Sequence, residues 1–426
     1  ALAGGGTGIG LWLGGREDDP KPTADAKPKA PALTDPARPL GTGVKAEPLW
    51  TAPVSEPVVQ ILGDGGTVVA FSAKNIWAFD AGGRRKWGPV AHLPDSSTGA
   101  IGGLIAAVGG GMAYAAMRRG AGELERALRA IRLDTGAEAW TLALPFKTAL
   151  EVAVPGMLDG QVFVTGSAAA VLPDAKQGFK FSSGPFVWAV DPAKRKGWQA
   201  ILTDPEIKYP RGSLFVPSSG TRLFWASSNT DGSGQKIAAL DVRTRKMTWE
   251  QPSPGAATST MDVLSQGRHG NWRDGPHSSA GGLFLHVSDR LYGIDPANGH
   301  VVWTSPKAPL KGVVASPDGR TVFAAAFEGR GVLVYALDAR TGTVRWAGTI
   351  TDTTGGLPVL QSADDTLYVA AGGWLWALNA TDGKARWKYE LTTAMTTSPV
   401  RAFWAGGGNV YAMGMKGLVA IGATGK

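Results

Sequence analysis

The feature that most constrains this chain is an eleven-residue repeat. It reads ALDARTGTVRW at 336–346 and ALNATDGKARW at 377–387. ALDVRTRKMTW (239–249), AIRLDTGAEAW (130–140) and GIDPANGHVVW (293–303) follow the same pattern, and AFDAGGRRKW (78–87) and AVDPAKRKGW (189–198) are one residue shorter. Before most copies stands a Gly-bounded apolar run such as TLYVAAG (366–372), and earlier still another such as GLPVLQS (356–362). Each unit reads as strands A, B and C, an Asp/Gly turn, and a strand D that carries a tryptophan. Trp87, Trp140, Trp198, Trp249, Trp303, Trp346 and Trp387 recur about every 50 residues. Four short strands in a unit of that length predict a β-propeller blade.

The two ends complete the pattern. The C-terminus supplies strand A (398–405), strand B (409–414) and strand C (417–426), and stops at the turn before any tryptophan. The N-terminus supplies the missing piece, AEPLWTAP with Trp50. The sequence therefore predicts an all-β, eight-bladed propeller with four-stranded antiparallel blades, the last closed by the strand at 48–52. Closure of this kind hides the sheet edges of the first and last blades. Composition agrees: Gly is 60 of 426 residues, and only 18% are charged, which disfavours helix bundles and coiled coils. The eight tryptophans, Trp50 included, are read as packing residues, since a large ring on an outer strand can reach the neighbouring blade and donate its N–H.

Three segments follow in the domain reading. Residues 1–15, ALAGGGTGIGLWLGG, are uncharged but too short to span a bilayer, which needs about 20 apolar residues. Trp12 just before the first charge, Arg16, favours the outer end of a transmembrane or signal segment over a Gly-rich start without a role. Residues 16–47 carry six prolines and no hydrophobic period, and read as a disordered, extended linker. Residues 48–426 are the propeller. This organisation places the chain outside a bacterial membrane and anchored to it at or before residue 15.

The A-x-D-x-x-T-G-x-x-x-W pattern resembles the tryptophan-docking repeat of the pyrroloquinoline quinone (PQQ) dehydrogenase family. The same repeat occurs in non-enzymatic relatives: the barrel-assembly scaffold lipoprotein of Gram-negative bacteria and extracytoplasmic propellers of actinobacterial Ser/Thr kinases. What the resemblance implies for catalysis is a vicinal Cys pair against the quinone, Ca²⁺ held by Glu, Asn and Asp, and an Asp base. This chain has no Cys. Its acidic residues concentrate in the repeated turns at Asp80, Asp134, Asp191, Asp241, Asp295 and Asp338, where each serves its own backbone. The histidines His92, His269, His277, His286 and His300 lack metal-ligand spacing, and no GxSxG, HExxH or kinase motif occurs. The expectation is a non-catalytic binding or sensor module without cofactor or metal. A protein-assembly scaffold and a PQQ-dependent dehydrogenase are the alternatives.

Alternating strand direction puts the A–B and C–D turns on one face and the B–C and D–A loops on the other. The first face gathers Arg84, Arg85, Lys86, Lys194, Arg195, Lys196, Arg243, Arg245 and Lys246, with an insertion at 266–280 that carries Arg268, His269, Trp272 and Arg273. Together with a net charge of +8 this suggests weak contact with anionic lipid or wall polymer. With Trp272 as its only interleaved aromatic, the face does not suit nucleic acid. The second face carries a long B–C loop at 168–185, with Lys176, Phe179, Lys180 and Phe181, and an approach to blade 4 at 203–212, with Tyr209 and Arg211. These residues are candidates for capturing a protein or small ligand on a monomeric ring.

Overall fold

The computed structural model describes residues 38–91 and 106–425, except 73, 119–125, 147–149, 173–179, 202–210, 217–219, 229–235, 255–276, 280–281, 288–289, 309, 329–330, 352–357, 392–402 and 415. Eight antiparallel sheets follow one another along the chain: blade 1 at 58–91, blade 2 at 106–143, blade 3 at 150–201, blade 4 at 211–252, blade 5 at 277–304, blade 6 at 310–350, blade 7 at 359–390, and blade 8 at 403–422. Strands pair in chain order within each blade.

Sequence pattern fixes each strand's place. Strand B of blade 1, Thr67–Ser72, is buried at every position, as is strand B of blade 7, Thr366–Ala371. Such uniformly buried, mostly apolar runs suit a strand with sheets on both faces. Strand D of blade 7, Ala385–Glu390, buries one residue fully, Trp387. An outer strand with a single anchor needs nothing more on its solvent side. The core is divided into eight apolar clusters between neighbouring sheets; one of them joins Leu128 and Trp140 of blade 2 to Val162, Phe186 and Val190 of blade 3.

Closure is as the sequence predicted. Strand β3 (Trp50–Ala52) pairs antiparallel with strand C of blade 8, Gly417–Gly422, with Trp50 opposite Ala420. It is strand D of the last blade.

The 16–47 segment ends differently from a free linker. Residues 38–46 lie along the outer edge of the ring. Strand β1 (Arg38–Pro39) pairs parallel with strand D of blade 6, and β2 (Val44–Lys45) pairs parallel with strand D of blade 7, making both sheets five-stranded. Leu40 donates its N–H to Thr349 O (3.1 Å), and Ala385 N donates to Leu40 O (2.9 Å). Ala46 N donates to Lys388 O (2.8 Å) and Leu49 N to Ala420 O (2.7 Å). Leu40 and Ala46 are buried, 5% and 1% exposed. The chain thus forms a belt over blades 6, 7 and 8 before it enters blade 1. Deletion of residues 1–30 should leave the thermal melt unchanged. Deletion of 1–46 uncovers two sheet edges, removes the buried Leu40 and Ala46 side chains and should lower Tm by several degrees; equal melts would show that the belt contributes nothing.

Candidate functional site: the turn face and the blade junctions

The C–D turn of blade 6 shows how the repeat works. Asp338 Oδ1 accepts hydrogen bonds from the N–H groups of Arg340 and Thr341, both at 3.0 Å. Gly342 closes the turn at φ 70° by donating to Asp338 O. Trp303 of blade 5 lies directly on this glycine: a Cβ there would fall 2.5 Å from the indole. The indole N–H donates to Ala339 O in the same turn, at 2.9 Å. Each outer tryptophan of this kind therefore caps the turn of the next blade.

The contact runs around the ring. Trp87 donates to Leu133 O, Trp249 to Pro296 O, Trp346 to Ala380 O and Trp387 to Ala423 O, each over 2.9–3.0 Å. Trp50 donates to Ala81 O at 2.8 Å and covers Gly83, so blade 8 grips blade 1 as the others grip their neighbours. Two junctions depart from the pattern, and both involve turns that lack glycine. Arg195 and Arg245 take the left-handed conformation instead, at φ 56° and 60°. Trp198 of blade 3 is half-buried; the Arg245 guanidinium of blade 4 stacks on it at 5.9 Å, and its N–H turns to Gln161 of its own blade at 3.1 Å. A bidentate pair from Arg243 to Asp159, at 2.9 and 3.1 Å, joins blades 4 and 3 on this face.

The turn aspartates do what the spacing implied, with one exception. Asp80, Asp191, Asp241 and Asp295 each accept backbone N–H groups of their own turns. In blade 2 the equivalent position is Arg132, and Asp134 two residues later pairs with it at 3.0 Å.

The basic residues of this face largely have partners. Arg84 pairs with Asp80 and Lys194 with Asp191, both at 3.0 Å. The residue just before the tryptophan reaches back to a buried strand-B threonine: Lys86 to Thr67, Arg345 to Thr321 and Arg386 to Thr366, at 2.9, 2.9 and 2.7 Å. Arg85, Arg195, Lys196 and Lys246 are exposed on the same face. The hydrogen bond from Arg345 holds the Asp338 carboxyl at about 2, and that from Arg386 does the same for Asp365.

The candidate capture residues fall mainly outside the described residues: Arg268, His269, Trp272 and Arg273 at 255–276, Lys176 and Phe179 at 173–179, and Tyr209 at 202–210. Lys180, Phe181 and Arg211 lie on strands. The B–C loop expected over 168–185 is mostly a hairpin, because strand B of blade 3 (Gln161–Leu172) and strand C (Lys180–Asp191) stay paired as far as Leu172 opposite Lys180. Its Ala, Ser and Gly content disguised continuous backbone pairing as a loop. The residues that sequence reasoning missed are Leu40, Ala46, Asp159 and Gln161.

The cofactor suggested by the repeat was tested against the residues present. The chain supplies no cysteine, and among the described residues no three His, Asp or Glu side chains converge on a metal position. The turn carboxylates are engaged by their own backbone or by arginine. The described residues do not match the quinone-and-calcium set, and no catalytic step is assigned through it.

Two outcomes follow. Trp346→Ala should cost about 3–5 kcal/mol in urea unfolding, as for other buried aromatic truncations, and Trp198→Ala clearly less; equal losses would show that the indole-on-turn contact is not what holds the junctions. The folded-state values of Asp338 and Asp365 lie below the ordinary 3.8, so their ion pairs stabilise the fold fully above about pH 4 and lose that contribution as pH falls toward 2. Tm should fall between pH 5 and 2, and the double variant Arg345→Ala/Arg386→Ala should show a shallower fall.

Comparison with known proteins agrees with this geometry. The profile of a family described as outer membrane protein assembly factor BamB matches residues 43–182 and 287–426. The serine/threonine-protein kinase AfsK of Streptomyces griseus is 34% identical over 148 residues, covering 32% of this chain and 18% of that kinase. Among solved structures, a quinohemoprotein alcohol dehydrogenase from Comamonas testosteroni superposes with a TM-score of 0.59 at 14% identity, over 90% of this chain and 77% of that one. The computationally designed Ika8 protein superposes with a TM-score of 0.55 at 12% identity, over 87% and 98% of the two chains. At such identities these two structures speak for the fold alone. With the family profile covering most of the ring and the split last blade, the chain belongs to the PQQ-repeat β-propeller family of outer membrane protein assembly factor BamB.

Proposed function

We propose that this chain is a non-catalytic binding or sensor module, held outside a bacterial membrane, that presents a rigid propeller to a protein or small-ligand partner. The observation that carries this reading is how the turn chemistry is used. The recurring Asp side chains close turns, the tryptophans join blades, and the basic residues before the tryptophans tie strand D to strand B. The repeated polar groups are thereby committed to the frame, which leaves recognition to the variable loops of a stiff scaffold. The match to part of a Ser/Thr kinase supports a role as the sensing part of a receptor. The family profile supports a second reading, a protein-assembly scaffold, which uses the same surface differently. Arg85, Arg195, Lys196 and Lys246 add a weak, salt-sensitive attraction to anionic lipid or wall polymer in either case.

Because the chain has no cysteine, its location can be read directly. Thr135→Cys, on an exposed turn, should react with a membrane-impermeant maleimide in intact cells that express the full-length protein. Labelling only after lysis would contradict an extracytoplasmic module. PQQ with Ca²⁺ should leave Tm unchanged and reduce no dye in the presence of alcohols; a saturable Tm rise with turnover would replace the module by an enzyme.

A further inference from the structure

The outer wall of blade 7 gathers donors that have no acceptor. Lys388 of strand D lies over two indoles of strand C (Trp374–Asn379), with Nζ 4.9 Å from the ring centre of Trp374 and 5.0 Å from that of Trp376. Trp376 stands directly opposite Lys388 in the register of the two strands. Its side chain is buried, and its indole N–H has no hydrogen-bond partner. A buried donor left unpaired is costly, so such a group points to a missing acceptor.

The belt adds a second ammonium. Lys45 of β2 pairs in parallel with Lys388, so the two side chains leave the same face of the sheet, the face of the indoles. Ala46, the next residue of the belt, packs on the other side with Trp387. Like charges set directly opposite each other on neighbouring strands repel. Among the described residues neither lysine has an ion pair or a hydrogen bond, and Glu390, two positions beyond Lys388 on the same face, does not pair with it. Equivalent cations elsewhere on strand D are held: Lys86, Arg345 and Arg386 each reach a threonine. Leu40 of the belt shares the apolar cluster of Trp376, and Trp374 packs against that cluster, so the donors border apolar surface, where a charge-assisted bond gains strength.

We propose that Lys45, Lys388 and the Trp376 N–H form a site for a phosphate group, made by blade 7 and the belt together. One tetrahedral anion serves all three donors. Its oxygens accept from each ammonium at about 2.7–2.9 Å, and an indole centred 5.0 Å from Nζ keeps its N–H within the span of the same anion. Two ammonium groups match the charge of roughly −1.5 to −2 that a phosphate monoester carries near pH 7. A carboxylate balances only one of them, and the site has no arginine fork to select its planar oxygens. Occupancy turns a repulsive lysine pair into a bridge between β2 and strand D, and so fastens the belt to blade 7. The inference goes beyond the binding-module reading and is independent of it, since it uses none of the residues invoked there.

The test is a titration of the full chain with inorganic phosphate, at an ionic strength held constant with sodium chloride. The indole N–H resonance of Trp376, identified among the sixteen tryptophans by its loss in Trp376→Phe, should shift saturably. Amide exchange at Ala46, which donates to Lys388 O, should slow over the same concentration range. Lys45→Gln, at an exposed position, and Lys388→Gln should each weaken phosphate binding about tenfold, and Arg85→Gln on the turn face should leave it unchanged. Acetate should bind about tenfold more weakly than phosphate. Glycerol 3-phosphate and phosphatidylcholine vesicles with phosphatidic acid present the same group free and in a membrane, and whichever slows Ala46 exchange at the lower phosphate concentration identifies its source. A shift that chloride alone reproduces, a shift that survives both glutamine variants, or acetate binding equal to that of phosphate would overturn the assignment.

Discussion

The structure depends on one contact, an indole laid flat on the C–D turn of the next blade. The contact sets what each turn must be. The turn needs a residue at positive φ with no side chain toward the neighbour, which selects Gly342 and its counterparts. It needs a carbonyl aimed at the indole N–H, and the Asp side chain holds the turn in the shape that supplies it. A turn that satisfies all three demands leaves few groups free for chemistry. The frame is therefore strongly specified, and the loops are its least constrained part.

The same contact explains which parts of the fold could be read from sequence. The repeat is local: Asp, Gly and Trp lie within eleven residues, so blade number, strand order and the role of Trp50 were legible. The belt was not, because its buried residues recur every six positions, one per blade, instead of every second position as in a strand. Leu40 and Ala46 look like linker residues until the edges of blades 6 and 7 are placed beside them. The charge of the turn face was overstated for a related reason. Arg243 is neutralised by Asp159, 84 positions away on another blade, and Lys86 is anchored on a strand-B threonine. Neither partner is visible from sequence spacing.

Departures from the repeat locate the softer junctions. Where Arg245 replaces the turn glycine, Trp198 is less buried and its N–H finds an acceptor in its own blade, whereas Trp140, toward the Arg195 turn, stays buried. Stacking and a surface ion pair replace the buried hydrogen bond at the junction of blades 3 and 4, and exposed ion pairs are worth little, commonly below about 1 kcal/mol. The blade with the extended hairpin thus borders a junction that lacks the indole-to-turn hydrogen bond. The opposite part of the ring, blades 6 to 8, carries the belt. These substitutions give the ring one side braced by the belt and another whose junction rests on stacking and a surface ion pair.

The central claim is that blade 8 is held to blade 1 by a strand and an indole from the N-terminus, through the same contact that joins other neighbours. Amide hydrogen exchange of Trp50→Ala tests it most directly. Loss of the bond to Ala81 O and of the ring over Gly83 should release protection in strand C of blade 8, Gly417–Gly422, and in the C–D turn and strands of blade 1, while blades 5 and 6 keep theirs. Protection unchanged in blades 8 and 1, or lost evenly around the ring, would contradict the claim.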